Sequence, residues 1–511
     1  MDAFLERNLP ALIVVVPLLG GILSAMLGKR RTGWWIAMGA SALVLAGCLE
    51  LLARVLAAPG GRIEYLMSNW PVPYGIAFAI DSLNGAVLVI IAAIGAVVTL
   101  YARESIRHEI PEEKHSFFWG IWLFCLTGLL GITITGDAFN LYVLLEISSL
   151  ATYTLVAMGK FRERRALTSS INYLVLGTIG ASFILLGIGY LYSITGTLNM
   201  GDMATRLQEI YATWGTDAPM YKRATVTGFA FLMVGLSLKL ALFPLHGWLP
   251  NAYTYAPSAV SALLAATATK VGAYIAIRFL YTIVGTGFAF SPEIPTDKLL
   301  MVSASLAILI GSFIALRQRN LKRMLAFSSL AQIGYITLGI ALANPEGLAG
   351  AVVHLFNHAL TKGGMFLALG IVVYRMGGSS IDDLRGLGRK LPITMAAFTA
   401  GGLGLIGVPL TAGFISKWYL VGGALQAGRP ELAIVILVGS VLALAYVWKI
   451  VEVIYFQERP EGAVAVREAP LSMTIPTVLL IGASLYFGID ATTSASVAQS
   501  AAEALIQGAA R

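Results

Sequence analysis

Glu146, Lys239, Lys270, Lys362 and Lys417 each stand well inside a run of apolar residues. An ionisable side chain at mid-bilayer costs about 2.5–3.5 kcal/mol even on the lenient insertion scale, so such residues face protein or water and usually have a function. A lone buried lysine tends to lose its proton, whereas a nearby carboxylate restores the charged form. Four lysines with one acid therefore have a charge state that is easily tipped, which is what a proton relay needs. His246 follows Lys239 by seven residues, about two helical turns, which predicts that both project from one face. His354, His358 and Lys362 recur every four residues as a polar stripe, widened by Asn357 and Thr361. Histidine titrates near neutrality and can pass protons along such a stripe.

Other ionisable residues have plainer readings. Arg278 and Glu50 lie near the ends of apolar runs, where snorkelling to the interface is expected. Lys449 and Glu452 are an i,i+3 pair that neutralises itself or joins the relay. Asp81 and Asp137 open their runs, so N-terminal capping and a relay role both stay open. His354, near the start of its run, is either a satisfied structural histidine or a relay member. For Glu146, Lys239, Lys270 and Lys417 an architectural salt bridge is the poorer account, because three lysines face one acid. The Gly401–Gly407 stretch lacks the Lys-Ser/Thr of a phosphate loop. His354 and His358 at i,i+4 lack the Glu of a zinc protease and adjoin a lysine, so no metal is expected. No Ser–His–Asp order and no haem or flavin motif is present, so no cofactor and no redox or hydrolytic site is expected on this chain.

The elements that position these residues follow from composition. Of 511 residues 57% are hydrophobic and 12% charged, with a mean hydropathy of +0.79. A soluble domain carries about 25% charged residues, so a soluble enzyme is excluded. An all-α polytopic membrane protein is predicted, in keeping with 54 Gly and 19 Pro. A crossing needs roughly 20 mostly apolar residues. Fourteen segments qualify, at 9–28, 34–57, 77–100, 117–136, 138–158, 168–193, 224–246, 257–282, 299–316, 324–343, 348–374, 392–424, 432–456 and 472–488. The twelfth is too long for one straight helix and carries Gly401, Gly402, Gly404, Gly407 and Pro409; Pro244 interrupts the seventh. The first run reads as a retained helix, since Met1 to Pro10 shows no small-residue cleavage site. The residues from Ala491 onward read as a short surface helix. Cys48 and Cys125 sit inside apolar runs and form no disulfide framework.

Orientation follows from the basic loops. With the amino terminus outside, 20 of the 35 Lys and Arg fall in inner loops, nine outside and six within spans. The inner set includes Lys29, Arg30, Arg31, Arg162, Lys322 and Arg375. The net charge of +8 is thus topological, with no nucleic-acid partner implied, and both termini are expected on the outer side.

The stretches GDAFNLYVLLEISSLATYTLVAMG (136–159), KLALFPLHGWLPNAYTYAPSAVSALLAATATKVGAYIAIRF (239–279), LKRMLAFSSLAQIGYITLGIAL (321–342), HLFNHALTKGGMFLALG (354–370) and GVPLTAGFISKWYL (407–420) carry a resemblance. They resemble the antiporter-like subunits of Mrp-type multisubunit Na+/H+ antiporters, NADH:quinone oxidoreductases and membrane-bound hydrogenases. The resemblance implies fourteen helices with two inverted five-helix repeats, 117–282 for helices 4–8 and 299–456 for helices 9–13, and broken helices 7 and 12. It matches Glu146 to the family's fifth-helix carboxylate and Lys239 to its broken-seventh-helix lysine. It matches Lys270 to the eighth-helix lysine, His354, His358 and Lys362 to the polar axis of the eleventh helix, and Lys417 to the ionisable position of the twelfth. His246, from its spacing, and Asp137, from its place at the start of its run, remain relay candidates.

What this implies is a proton-translocating subunit of a multisubunit complex in a prokaryotic inner (plasma) membrane. Length and ending favour the D-type subunit of an Mrp-type cation/proton antiporter; the alternative is the pumping subunit of a quinone oxidoreductase-like complex or hydrogenase. Opening of the Glu146–Lys239 pair would push a proton to Lys270 and on through His358/Lys362 to Lys417. The expected partners are other membrane subunits, the lipid bilayer and H+, and whether Na+, K+ or only H+ moves stays open. A stand-alone metabolite transporter and a structural scaffold are rival readings; the scaffold would use apolar residues where Lys239, Lys270 and Lys417 sit.

Overall fold

In hydrocarbon every backbone N–H and C=O must be bonded within the protein, so long apolar runs become helices. The computed structural model describes residues 2–27, 32–58, 60–213, 219–462 and 465–509. The basic residues Lys29, Arg30, Arg31 and Arg511, used above in the charge asymmetry, lie outside the described residues. The chain begins with α1 (Asp2–Leu27) and α2 (Thr32–Ala57), followed by a hairpin of β1 (Arg62–Leu66) and β2 (Ala77–Asp81). Next come α3 (Ser82–Glu109), α4 (His115–Ile134), α5 (Ala138–Ala157), α6 (Arg165–Thr195), α7 (Met200–Thr213) and α8 (Pro219–Leu240). Then follow α9 (Leu249–Tyr255), α10 (Ser258–Ala266), α11 (Ala268–Ile277), α12 (Thr286–Ala289), α13 (Thr296–Arg317) and α14 (Leu321–Ala341). The last are α15 (Pro345–Met376), α16 (Pro392–Ile406), α17 (Ala412–Gln426), α18 (Pro430–Tyr455), α19 (Leu471–Ile489) and α20 (Thr492–Ala509).

Among the described residues, 13 helical segments are long and apolar enough to cross a membrane. α16 and α17, at 15 residues each, are too short alone and in series supply the fourteenth crossing. Their junction falls where the glycines predict it. Gly407 ends α16 in the left-handed region at φ 85°, which glycine adopts without a Cβ penalty. A Cβ on Gly413 would collide with the Gly404 carbonyl oxygen, so the two half-helices meet backbone to backbone. The seventh crossing stops at Leu240 and resumes as α9 at Leu249, because Ala241 turns to φ 59° and Pro244 has no N–H to continue the ladder.

A further interruption carries no Gly or Pro signal. The eighth crossing breaks at Thr267 (φ −125°, ψ −54°) between α10 and α11 and then loosens into a π-helical stretch, Arg278–Ile283. The third crossing begins later than residue 77. Residues 77–81 pair with β1, in register Arg62↔Asp81, and Asp81 caps α3 in a reciprocal capping box with Asn84. The C-terminal segment is helical as expected, with Ala498, Ala501 and Ala502 buried, and α20 packs on α15 and α3. α15 lies at the centre. Nearly all its residues are buried, and it contacts α3, α10, α14, α16, α17 and α19.

Candidate functional site

α5 carries Glu146 on a half-buried face, one turn before Ser149. Ser148 and Ser149 both donate to the Leu145 carbonyl, at 2.9 and 2.5 Å. Lys239, in the last turn of α8, donates to the Ser149 hydroxyl. Its charge and that of Glu146 feel one another, yet among the described residues they make no direct ion pair, and Glu146 Oε1 is buried without a hydrogen-bond partner. Lys239 and Glu146 are thus neighbours held apart. A cavity of about 20 Å³ beside them is lined by Ser148, Ser149, Thr152, Tyr173, Lys239 and Gly272.

The other three lysines are buried, at 1% (Lys270), 0% (Lys362) and 6% (Lys417) exposure, and each rests on neutral oxygen. Lys270 donates to the Ala265 carbonyl, in the turn where the helical ladder is broken at Thr267. Lys362 donates to the Leu325 carbonyl at 2.9 Å and to the Ser328 hydroxyl. Lys417 reaches the last carbonyls of α16, Leu405 at 3.0 Å and Ile406 at 2.9 Å, with Ser440 Oγ at 2.9 Å. Its ammonium also lies 4.7 Å from the centre of the Tyr335 ring. The carbonyl end of a helix carries a partial negative charge, so a lysine placed there is stabilised without a counter-ion.

The histidines lie beside these lysines. His354 bonds Ser416 Oγ at 2.8 Å through Nδ1 and Gln332 Oε1 at 2.9 Å through Nε2, tying α15 to α17 and α14. One turn on, His358 stacks on it at 6.1 Å between ring centres, and both of its ring nitrogens are buried without a partner. Lys270, Lys362 and His354 are the electrostatic neighbours of His358, and Lys417 is a neighbour of His354.

Three sequence expectations change. His246 does not share a helical face with Lys239, because α8 ends at Leu240. It lies in the connecting segment, half-buried and stacked on Phe243 at 5.4 Å, with Nδ1 buried and unpartnered. Arg278 does not snorkel. It is 8% exposed, and its guanidinium is held by Asp81 at 2.6 Å and by the Tyr274 hydroxyl at 3.1 Å, because the hairpin brings Asp81 over it. Lys449 turns away from Glu452 to the carbonyls of Leu316 (3.2 Å) and Gln318 (3.4 Å) at the end of α13. Glu50, by contrast, pairs with Arg54 at 2.7 Å on the exposed rim. Asp137 is an N-cap, accepting from Asn140 N at 2.7 Å.

Sequence reasoning passed over the hydroxyl partners Ser149, Ser328, Ser416 and Ser440. The signal for the first two was present, as SSLA recurs at 148–151 and 328–331. It also gave no role to Glu109. That residue is buried where α3 meets the α5–α6, α9–α10 and α13–α14 connections. It accepts from Ser105 Oγ at 2.7 Å and Ser258 N at 3.1 Å, with Arg162 at 3.9 Å. A cavity of about 440 Å³ opens there, lined also by Lys322 and Asn320. Among the described residues no group of three or more His, Cys, Asp or Glu is placed to hold a metal ion.

Residues 135–443 match the family described as "NADH:quinone oxidoreductase/Mrp antiporter, TM". The chain is 41% identical over 490 residues to the N subunit of an NADH-quinone oxidoreductase of Desulforudis audaxviator, covering 93% of this chain and 94% of that one. It is 29% identical over 504 residues to the D-type subunit of a Na(+)/H(+) antiporter of Bacillus subtilis, covering 98% and 97%. A chain of the Mrp complex from Dietzia sp. superposes with a TM-score of 0.87 at 25% identity, covering 99% of both. With intramembrane lysines on broken helices and a family match across more than half its length, the chain belongs to the NADH:quinone oxidoreductase/Mrp antiporter membrane family.

Proposed function

We propose that this chain carries protons through the bilayer as one subunit of a multisubunit complex in a prokaryotic cell membrane. Glu146 and Lys239 act as the switching pair, Lys270, His358 and Lys362 as the central stations, His354 as the link, and Lys417 as the far terminus. His246, in the broken seventh crossing, is the weaker relay member, and Asp137 is read as the cap of α5. The reading is carried by Lys270, Lys362 and Lys417, held at 0–6% exposure on carbonyls and hydroxyls, with Glu146 the carboxylate beside the half-buried Lys239. Buried polar atoms without protein partners, such as the ring nitrogens of His358, are ordinarily satisfied by water, and water would bridge the gaps between stations.

Two halves, 117–282 and 299–456, are proposed as repeats of one design. The shared SSLA of LLEISSLA on α5 and MLAFSSLA on α14, and the breaks of the seventh and twelfth crossings after Leu240 and at Gly407, support this reading. The excess of Lys and Arg in the inner loops supports an orientation with both termini on the outer side.

Glu146→Ala and Lys239→Ala, assayed in everted vesicles containing the full complex, are expected to abolish proton movement while the protein stays in the membrane. Near-wild-type transport in either rejects the mechanism. Exchange of Na+ or K+ for H+ as the D-type subunit of an Mrp-type antiporter is the first reading. The relative at 41% identity, named as part of a quinone oxidoreductase, supports a second, in which redox partners drive the same residues. Proteins that co-purify in mild detergent separate the two: small hydrophobic antiporter subunits favour the first, iron–sulfur subunits the second.

A further inference from the structure

The serine pairs of α5 and α14 stand in the same local sequence, LLEISSLA at 144–151 and MLAFSSLA at 324–331. In each, both hydroxyls donate to one leucine carbonyl: Leu145 at 2.9 and 2.5 Å, Leu325 at 3.0 and 3.0 Å. A hydroxyl whose proton is so committed offers only its lone pairs. In each pair one serine spends them on a lysine, at adjacent register positions: Ser149, the second of its pair, on Lys239, and Ser328, the first of its pair, on Lys362. The second copy has Ala326 where the first has Glu146, and there hydroxyl and carbonyl alone hold a lysine at 0% exposure. A serine hydroxyl, there with a backbone carbonyl beside it, therefore holds a buried lysine without a carboxylate.

We propose that Ser149 is a second resting place for the Lys239 ammonium, in competition with Glu146, and that this competition sets how readily the pair opens. The proposal rests on the reading of Glu146 and Lys239 as the switching pair. Ser149 lies three residues beyond Glu146, about 4.5 Å along the helix axis, within the swing of a flexible four-carbon stem. A neutral hydroxyl holds an ammonium more weakly than a carboxylate does. Lys239 on Ser149 thus releases its proton more readily than Lys239 on Glu146. The cavity of about 20 Å³ beside it has room for one water, bounded by α11, the helix of Lys270. The titratable groups around this seat are Glu146 and Tyr153 from α5 and Tyr173 from α6, with Tyr142 next to Glu146 and Cys125 of α4 next to Tyr173. The lining from α11 is Ala268, Val271, Gly272 and Ile275.

The test compares Ser149→Ala, Ser149→Cys and Ser149→Thr with Ser148→Ala and Glu146→Ala, in everted vesicles containing the full complex, across a pH series. Losing the seat returns Lys239 to Glu146. Ser149→Ala and Ser149→Cys should then slow proton movement several-fold and move its pH profile toward alkaline values. Ser149→Thr, which keeps the hydroxyl, and Ser148→Ala, which removes a hydroxyl that does not touch Lys239, should keep the wild-type profile. If Ser149→Ala does not accumulate in the membrane, the size-matched Ser149→Cys decides. A wild-type profile in Ser149→Cys, or a Ser148→Ala profile shifted like that of Ser149→Ala, overturns the proposal. Wild-type movement in Glu146→Ala instead overturns the switching pair itself.

Discussion

Replacing Lys362 by Met separates a lysine kept for function from one kept for architecture. The ammonium of Lys362 is completely buried and makes two hydrogen bonds, to Leu325 O and Ser328 Oγ. Its presence at this depth carries about 2.5–3.5 kcal/mol of unfavourable transfer energy. Two hydrogen bonds from a charged donor return about 1.5–3 kcal/mol each. Removing both terms leaves a net change within ~3 kcal/mol of zero, and methionine fills the space as an unbranched, adaptable side chain. No acceptor is orphaned, because the Leu325 carbonyl keeps Ser328 and Ser329 as donors at 3.0 Å. One kcal/mol shifts the melting point by about 2–4 °C in chains of 150–250 residues and by less in longer ones, so the purified complex should melt within ~5 °C of wild type. Transport should fall by about 100-fold or more, the lower end of what a positioned proton-transfer group contributes. Melting of the detergent-solubilised complex and proton movement in vesicles are the two measurements. Wild-type transport, or a collapse of the fold at growth temperature, would refute the reasoning.

Arg278→Met should behave in the opposite way. It strands Asp81, whose carboxylate is a third exposed, and after discounting for that exposure should lower stability by about 1–3 kcal/mol in a melting experiment. His354→Ala removes the partner of Gln332 Oε1, while Ser416 keeps the Gly413 carbonyl at 3.1 Å, and should destabilise by about 2 kcal/mol while reducing transport, read in the same two assays. Asp137→Ala should lower stability by about 1 kcal/mol and leave transport within about twofold of wild type, as expected for a helix cap; a large transport loss in a normally melting complex would make it a relay residue.

How much of this was legible follows from what a sequence records. Lys270, Lys362 and Lys417 announced themselves because a charge within an apolar run is an anomaly of type, visible without coordinates. The breaks at Pro244 and Gly407 were equally visible, since both residues restrict or free the backbone locally. The interruption at Thr267 was not, because threonine is tolerated in helices and the bond of its hydroxyl to the Leu263 carbonyl, at 2.7 Å, has no letter of its own. The partners of the lysines were hidden for a different reason. Backbone carbonyls carry no residue letter, so an ammonium bound to Leu405 O and Ile406 O reads as unpaired. The shared face of Lys239 and His246 failed because a periodicity of 3.6 was carried across a proline that ends the helix. The Arg278–Asp81 pair spans 197 positions and needed the hairpin to bring Asp81 into place.

The coincidence of lysines with helix breaks has a chemical consequence. In a buried salt bridge, loss of the lysine proton leaves an unpaired carboxylate, which is strongly unfavourable. A lysine solvated by carbonyls leaves only neutral groups behind, and the resulting amine still has two N–H donors for them. Proton loss at Lys417 therefore need not break its hold on Leu405 O and Ile406 O. Arginine makes this distinguishable from a purely structural cation, since guanidinium binds carbonyls and stacks on tyrosine but does not deprotonate in proteins. Lys417→Arg should keep the contacts to α16 and the Tyr335 ring, preserve assembly and melting, and still abolish proton movement. If the arginine variant transports at the wild-type rate, Lys417 serves as a fixed charge, and the route of the proton must pass elsewhere.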